Sequence, residues 1–149
     1  SEPYLQLPPP KSTGRETFNP EFIAEELLLA TQDKTFIPDL IATLTEFTVV
    51  ASVNAIRQCL FKYKIDSARL ILCGGGAYNS LIVERFTKLL EKQHVEVVCA
   101  DSLGVNSKLI EAHAFAFFAY MFCHRKPLDL GNSTGAQRPS ILGCLNPKA

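Results

Sequence analysis

The sequence lacks a surplus of charge of either sign: fifteen Lys and Arg are balanced by fifteen Asp and Glu over 149 residues. Without a basic excess there is no long-range attraction for a polyanion, so no nucleic-acid partner is expected. It also lacks any Cys-x-x-Cys pair, and its cysteines are odd in number: Cys59, Cys73, Cys99, Cys123 and Cys144. That pattern argues against a zinc site or a disulfide frame. It predicts reduced thiols in a cytosolic protein, most of them packing as small hydrophobes in apolar runs. No metal site is expected. Ser1 to Lys11 is proline-rich and carries no apolar stretch, so it does not read as a secretory signal. The longest apolar run, Leu109 to Cys123, is interrupted by Glu111 and His113 and is too short to cross a bilayer. It reads as a buried helix, and no membrane partner is expected.

What remains is a globular composition, 47% apolar with a mean hydropathy of +0.10, and enough length for one domain with a core. The first residue is not Met, and the proline-rich opening fits a fragment as well as it fits a processed or tagged terminus.

Along the chain, Pro8-Pro9-Pro10 favours extended polyproline geometry. Asn19-Pro20-Glu21 has the order of a helix start (N-cap, proline at N1, acid in the first turn) and predicts a helix from about Pro20 to Thr31. Pro38 and Asp39 open a second helix reaching about Tyr63, with Ile41, Leu44, Phe47, Thr48, Ala51, Ala55 and Cys59 at helical spacing. Arg69 to Cys73, a short apolar run ended by glycines, reads as a buried parallel strand. Asn79 can cap a helix from about Ser80 to Lys92, with Leu81, Phe86, Leu89 and Leu90 towards the sheet. Val95 to Ala100 is the next strand, Lys108 to His124 a nearly all-apolar helix, and Ser140 to Leu145 a closing strand or helical turn. This order predicts an α/β fold with parallel strands joined by right-handed crossovers. Two strands are few for such a sheet, and further strands are expected before Ser1.

Four constellations could carry chemistry. In Leu70 to Phe86, strand, glycines and helix follow one another, and Gly74, Gly75 and Gly76 let a ligand approach the backbone. The pattern is neither a dinucleotide fingerprint nor a P-loop, and a plain tight turn needing positive φ would look the same. Glu111 shares a helical face with Phe115, Phe118 and Phe122; it could bind a sugar hydroxyl or simply complement the helix dipole. Lys11-Ser12-Thr13-Gly14-Arg15-Glu16 could contact a phosphate or an acidic sugar, or hold a Thr13–Glu16 capping box. Asn132 to Ala136 is a hydroxyl-rich turn that could lean over a cleft or lie plainly on the surface. The histidines are weak signals: His94 and His124 sit near helix ends, and His113 reads as packed within its apolar helix.

Six segments in register resemble the C-terminal half of the anhydro-N-acetylmuramic acid kinases. They are Pro8 to Glu16 (PPPKSTGRE) with Phe18-Asn19, Ala42 to Thr48 (ATLTEFT), Cys73 to Asn79 (CGGGAYN), Asp101 to Gly104 (DSLG), Glu111 to Phe117 (EAHAFAF), and Ser133 to Ala136 (STGA) with Ile141 to Gly143 (ILG). The resemblance implies that residues 1–149 are one ribonuclease H-like lobe of the actin/Hsp70/hexokinase sugar-kinase fold, the C-terminal of two. It implies a cytoplasmic enzyme that uses ATP and Mg²⁺ to open the 1,6-anhydro ring of anhydro-N-acetylmuramic acid. The product is N-acetylmuramic acid 6-phosphate, in peptidoglycan recycling. It places Gly74, Gly75, Gly76 and Asn79 against the nucleotide, and Glu111, Lys11 and Arg15 towards the amino sugar. The family's phosphate loop and its catalytic aspartate motif do not occur in these residues, so the general base is expected in the N-terminal lobe and the chain alone should be inactive. Tyr78, Val105-Asn106-Ser107 and Cys123-His124-Arg125 depart from the family pattern. These departures leave open a kinase for another amino sugar, and the missing half leaves open a non-catalytic actin-like binding module. The apolar helices could pack on the partner lobe or on a second subunit, as in a homodimer.

Overall fold

The computed structural model describes residues 2–14, 16–23, 27, 29 and 32–146. Helix α1 spans Ile37–Tyr63 and strand β1 Ala68–Leu72. Helix α2 (Ser80–Leu90) leads to strand β2 (Val95–Cys99), followed by helix α3 (Ile110–Cys123) and the single turn α4 (Gly131–Thr134). The strands pair in parallel from Ala68 opposite Val95 to Leu72 opposite Cys99, which requires the crossover that α2 supplies. The expected parallel α/β arrangement is therefore present as a two-stranded sheet.

The core forms where α1, α2 and one sheet face meet. Val49 and Val53 on α1, Phe86 and Leu90 on α2, and Val95 on β2 are buried, with Ile56, Leu60, Leu70, Ile82 and Val97 around them. Removing these side chains from water is the main stabilising term, on the order of 1.5–3 kcal/mol for each large one. A bidentate pair between Arg85 of α2 and Glu46 of α1 locks the two helices at the edge of this core. The Arg85 hydrogen bonds hold the Glu46 carboxyl below its ordinary value. On the opposite sheet face Arg69 and Glu96 stand directly across from each other and pair at 2.6 Å, while Ile71 beside them is half exposed.

Helix α1 begins with a proline in its first turn and stops at Lys64, whose left-handed conformation (φ 53°) turns the chain so that Ile65 N–H reaches the Leu60 carbonyl at 2.9 Å. With the turn before it, the segment Lys34–Tyr63 is long and apolar enough by composition to cross a membrane, a property the sequence reading missed. Its middle instead packs Val49 and Val53 in the core and pairs Glu46 with Arg85.

Several expectations need correction. Of the helix expected from Pro20 to Thr31, Leu27 and Leu29 are helical and half of the residues lie outside the described ones; its start is a short 3-10 turn, Pro20–Phe22, capped by Asn19 as foreseen. The buried residues of α1, Val49 and Val53, are not among those picked out by helical spacing. Val49 and Val53 face α2, whereas Leu44, Phe47, Ala51 and Ala55 face a cleft shared with Phe18 and Phe22, and Ile41 is exposed. On α2, Ile82 takes the sheet-facing place expected for Leu81, which is exposed. Helix α3 is not buried: none of its residues is, and Phe115, Phe117, Tyr120 and His113 are exposed. Phe115, Phe118, Ala119 and Phe122 line an open cleft with the Ile141–Leu145 segment. That segment forms neither strand nor helix beyond a single bridge from Leu128 to Ser140. Three of the five free cysteines, Cys73, Cys123 and Cys144, are exposed rather than packed. The Pro9–Pro10 bond is cis, which interrupts the extended polyproline geometry expected there.

Candidate functional site

In an open parallel sheet, ligands bind where the chain leaves the C-terminal ends of the strands, because loops and helix N-termini gather there. Both strands end at this edge. After β1 the chain passes through Cys73 into Gly74 (φ 75°, ψ −169°), a backbone shape that side-chain-bearing residues avoid. A 3-10 turn over Gly75–Tyr78 follows, and Asn79 then caps α2, its Oδ1 accepting from Leu81 N–H at 3.1 Å. Nothing lies within 4 Å of the direction a Cβ would take at Gly74 or Gly75. The turn therefore presents bare backbone to open space, a surface that a flat ring or a sugar can approach closely. Gly76 differs, since a Cβ there would touch Ile82 at 3.7 Å, so its bareness serves the packing of α2.

After β2 the chain makes the turn Ala100–Leu103, closed by Gly104 at φ 79°. This sends Val105 N–H back to the Ala100 carbonyl at 3.1 Å and carries the chain to the turn Ser107–Leu109. The two loops are fastened together. Gly74 N–H donates to the Ser107 carbonyl at 3.1 Å. Tyr78 Oη donates to Asp101 Oδ1 at 3.1 Å, and the Ser107 hydroxyl donates to Asp101 Oδ2. Cys99 Sγ donates to the Ala77 carbonyl at 3.4 Å. Ser107 is almost fully buried at 1% exposure, while Tyr78 remains half exposed with the Lys108 ammonium 5.3 Å from its ring centroid. The Ser107 hydroxyl, helped by Tyr78, holds the Asp101 carboxyl below its ordinary value. Tyr78 is pushed up, first by burial of its hydroxyl and then by the Asp101 carboxylate, so it stays a donor.

Of the residues singled out from sequence, Gly74, Gly75, Gly76 and Asn79 are brought together in this one turn. Glu111 lies in the first turn of α3, one helical turn beyond Ser107, and is exposed. Lys11 stands elsewhere. Its Nζ donates to the Tyr4 carbonyl at 3.1 Å and lies 4.7 Å from the Tyr4 ring centroid. There it lines a cleft of about 440 Å³ with Phe18, Phe22 and Phe47, to which no residue of the glycine turn contributes. Arg15 lies outside the described residues. The Thr13–Glu16 capping box does not form; Gly14 instead turns the chain by accepting from Thr17 and Phe18 N–H. Asn132 to Thr134 belong to α4, and the turn after them is completed by Gly135 at φ 78°. Tyr78, Asp101 and Ser107 were not singled out as site residues. Their signal was available, since parallel strands must deliver the residues after β2 to the same edge as the glycines.

Comparison with known proteins gives the lineage. A family model described as anhydro-N-acetylmuramic acid kinase matches residues 1–148. The chain belongs to the anhydro-N-acetylmuramic acid kinase family. It is 40% identical over 99% of its length to such a kinase from Actinobacillus pleuropneumoniae serotype 5b, covering 38% of that protein. The relative from Vibrio vulnificus gives 40% identity, with 99% of this chain and 38% of the relative covered. The relative from Synechococcus elongatus gives 40% identity, with 94% and 35% covered. The chain thus spans a little over a third of the relatives it matches, at their C-terminal part.

Proposed function

We propose that residues 1–149 form the C-terminal, ribonuclease H-like lobe of an actin/Hsp70/hexokinase-type kinase acting on anhydro-N-acetylmuramic acid in the cytoplasm. The observation that carries this reading is the 40% identity spread over 99% of the chain, and the Cys73–Asn79 and Asp101–Gly104 segments lie at the sheet edge where such a site belongs. The glycine turn receives the adenosine part of ATP, since Gly74 and Gly75 leave room for a flat group against the backbone. Asn79 spends its Oδ1 on the α2 cap, so its nucleotide contact falls to the Nδ2 amide. Glu111 faces the sugar from the start of α3, and Lys11 and Arg15 remain candidates on the proline-rich segment.

The reaction pairs hydrolytic opening of the 1,6-anhydro ring with transfer of the γ-phosphoryl group to the freed 6-oxygen. Water adds at the anomeric carbon and gives up its proton to a base, and ATP leaves as ADP. Among the described residues no group of three or more His, Cys, Asp and Glu is placed to hold a metal ion. Under this reading the general base and the phosphate contacts lie in the remaining part of the protein. Mg²⁺ would be held there and by the nucleotide phosphates. The bare faces of α3 at Phe115 and Phe117 are where the rest of the protein, or a second subunit of a homodimer, would pack.

The test is ADP release by the full-length protein with anhydro-N-acetylmuramic acid and Mg-ATP, with the product identified by mass. N-acetylmuramic acid 6-phosphate is the expected product. A product from another amino sugar alone would move the substrate. No ADP release with any amino sugar would leave a non-catalytic binding module.

A further inference from the structure

We propose that Asp101 is a positioning residue for the nucleotide: it clamps the glycine turn in its binding shape from the neighbouring loop without touching the ligand. The proposal rests on the reading that the turn receives ATP. A run of glycines has the greatest conformational freedom of any backbone segment, and ordering it at the moment of binding would cost affinity. Asp101 accepts from two hydroxyls, one on each carboxylate oxygen: Tyr78 Oη, at the far end of the turn, on Oδ1, and Ser107 Oγ on Oδ2. Ser107 in turn holds Gly74 through its carbonyl. One carboxylate therefore fixes the turn at both ends.

The surroundings fit a device rather than a chance contact. Asp101 is placed by the Ala100–Leu103 turn, which Gly104 closes at φ 79°. The Ser107 side chain is one of the few buried polar groups and finds its partner in Asp101. Hydrogen bonds to a carboxylate are about twice as strong as neutral ones, so a charged acceptor suits a clamp.

The test uses the full-length protein and the variants Asp101→Ala, Asp101→Asn and Tyr78→Phe. Two readouts are taken: KM for ATP and for the sugar separately, and hydrogen–deuterium exchange of the peptide covering Gly74 to Asn79. Loss of a charge-assisted clamp should raise KM for ATP about tenfold in Asp101→Ala, with the sugar KM and kcat within about twofold. Asp101→Asn keeps an acceptor oxygen and should recover part of the loss, and Tyr78→Phe should lose less than Asp101→Ala. Exchange of the turn should rise in the same order. Equal increases in both KM values, or unchanged exchange, would overturn the clamp. If Asp101→Ala does not fold, the Asp101→Asn and Tyr78→Phe pair carries the comparison, because Tyr78 is exposed enough to be changed without loss of core. If the parent releases no ADP, the kinase reading fails separately; the clamp is then judged by exchange alone, where equal protection in parent and variants overturns it.

Discussion

Helices α2 and α3 are both apolar, yet they lead opposite lives. In α2 the apolar residues form a stripe, and that stripe meets α1 and the sheet: Phe86 and Leu90 are buried and Ile82 packs beside them. In α3 apolar residues surround the helix, and none is buried. A helix that is hydrophobic on all sides expects cover on all sides. The described residues supply it only in part: Ala114, Phe118, Met121 and Phe122 are half-buried, and the Ile141–Leu145 segment lies beside Phe118 and Phe122. The difference teaches that apolarity states how much surface a helix must hide, while patterning states whether the chain itself can hide it.

The largest effect that would test this contrast is in α2. Leu90, with no exposed surface, should lose about 2–5 kcal/mol of stability when changed to Ala, measured by denaturant unfolding. Phe115→Ala, at 71% exposure in α3, should stay within about 0.5 kcal/mol in the 149-residue chain. If the remaining part of the protein covers α3, the same Phe115 substitution in the full-length protein should cost about 3–5 kcal/mol. Equal small effects in both settings would mean that α3 stays bare. Gly74→Ala comes next. The site has room for a methyl group but a φ of 75°, so it should cost about 1–2 kcal/mol through backbone strain alone, seen as a lower melting temperature. The Arg85–Glu46 pair gives a smaller, pH-dependent effect. Because the folded-state carboxyl sits below its ordinary 4.5, its contribution is present above that pH and fades as pH falls through the lower folded value. Stability curves of the parent and Glu46→Gln should therefore converge in acid; parallel curves would assign the pair no role. Last, Arg69→Ala should change stability by about 1 kcal/mol or less, since the Arg69–Glu96 pair is open to water.

Much of the fold could be read from residue order. The stop of β1 at the glycines, the Asn79 cap and the second strand stand within one or two residues of where spacing put them, because each has a strong local cause. Which face of α1 enters the core could not be read from spacing. Its residues are apolar on two sides, and periodicity cannot choose between two apolar faces when each has a partner, α2 on one side and Phe18 with Phe22 on the other. Within the candidate site, the glycines were legible; the parallel topology placed the residues after β2 near them, but not the hydrogen bonds of the Asp101 network. Hydrogen bonds among Tyr78, Asp101 and Ser107 join residues up to 23 positions apart, and nothing local in the sequence marks such a distance.

By itself, then, the sequence determined the family, the parallel α/β order and the bare glycine turn. Each depends on residue identity at neighbouring positions: the glycine where φ must be positive, the asparagine where a helix opens, the short apolar run where a strand is buried. Only the tertiary structure decided which face of α1 packs, that α3 lacks full cover among the described residues, and that Lys11 turns to Tyr4 and away from the glycines. It also decided that one carboxylate spans two loops. These outcomes follow from the parallel pairing of β1 with β2, which brings both strand ends to one edge and so chooses neighbours that no local pattern can name.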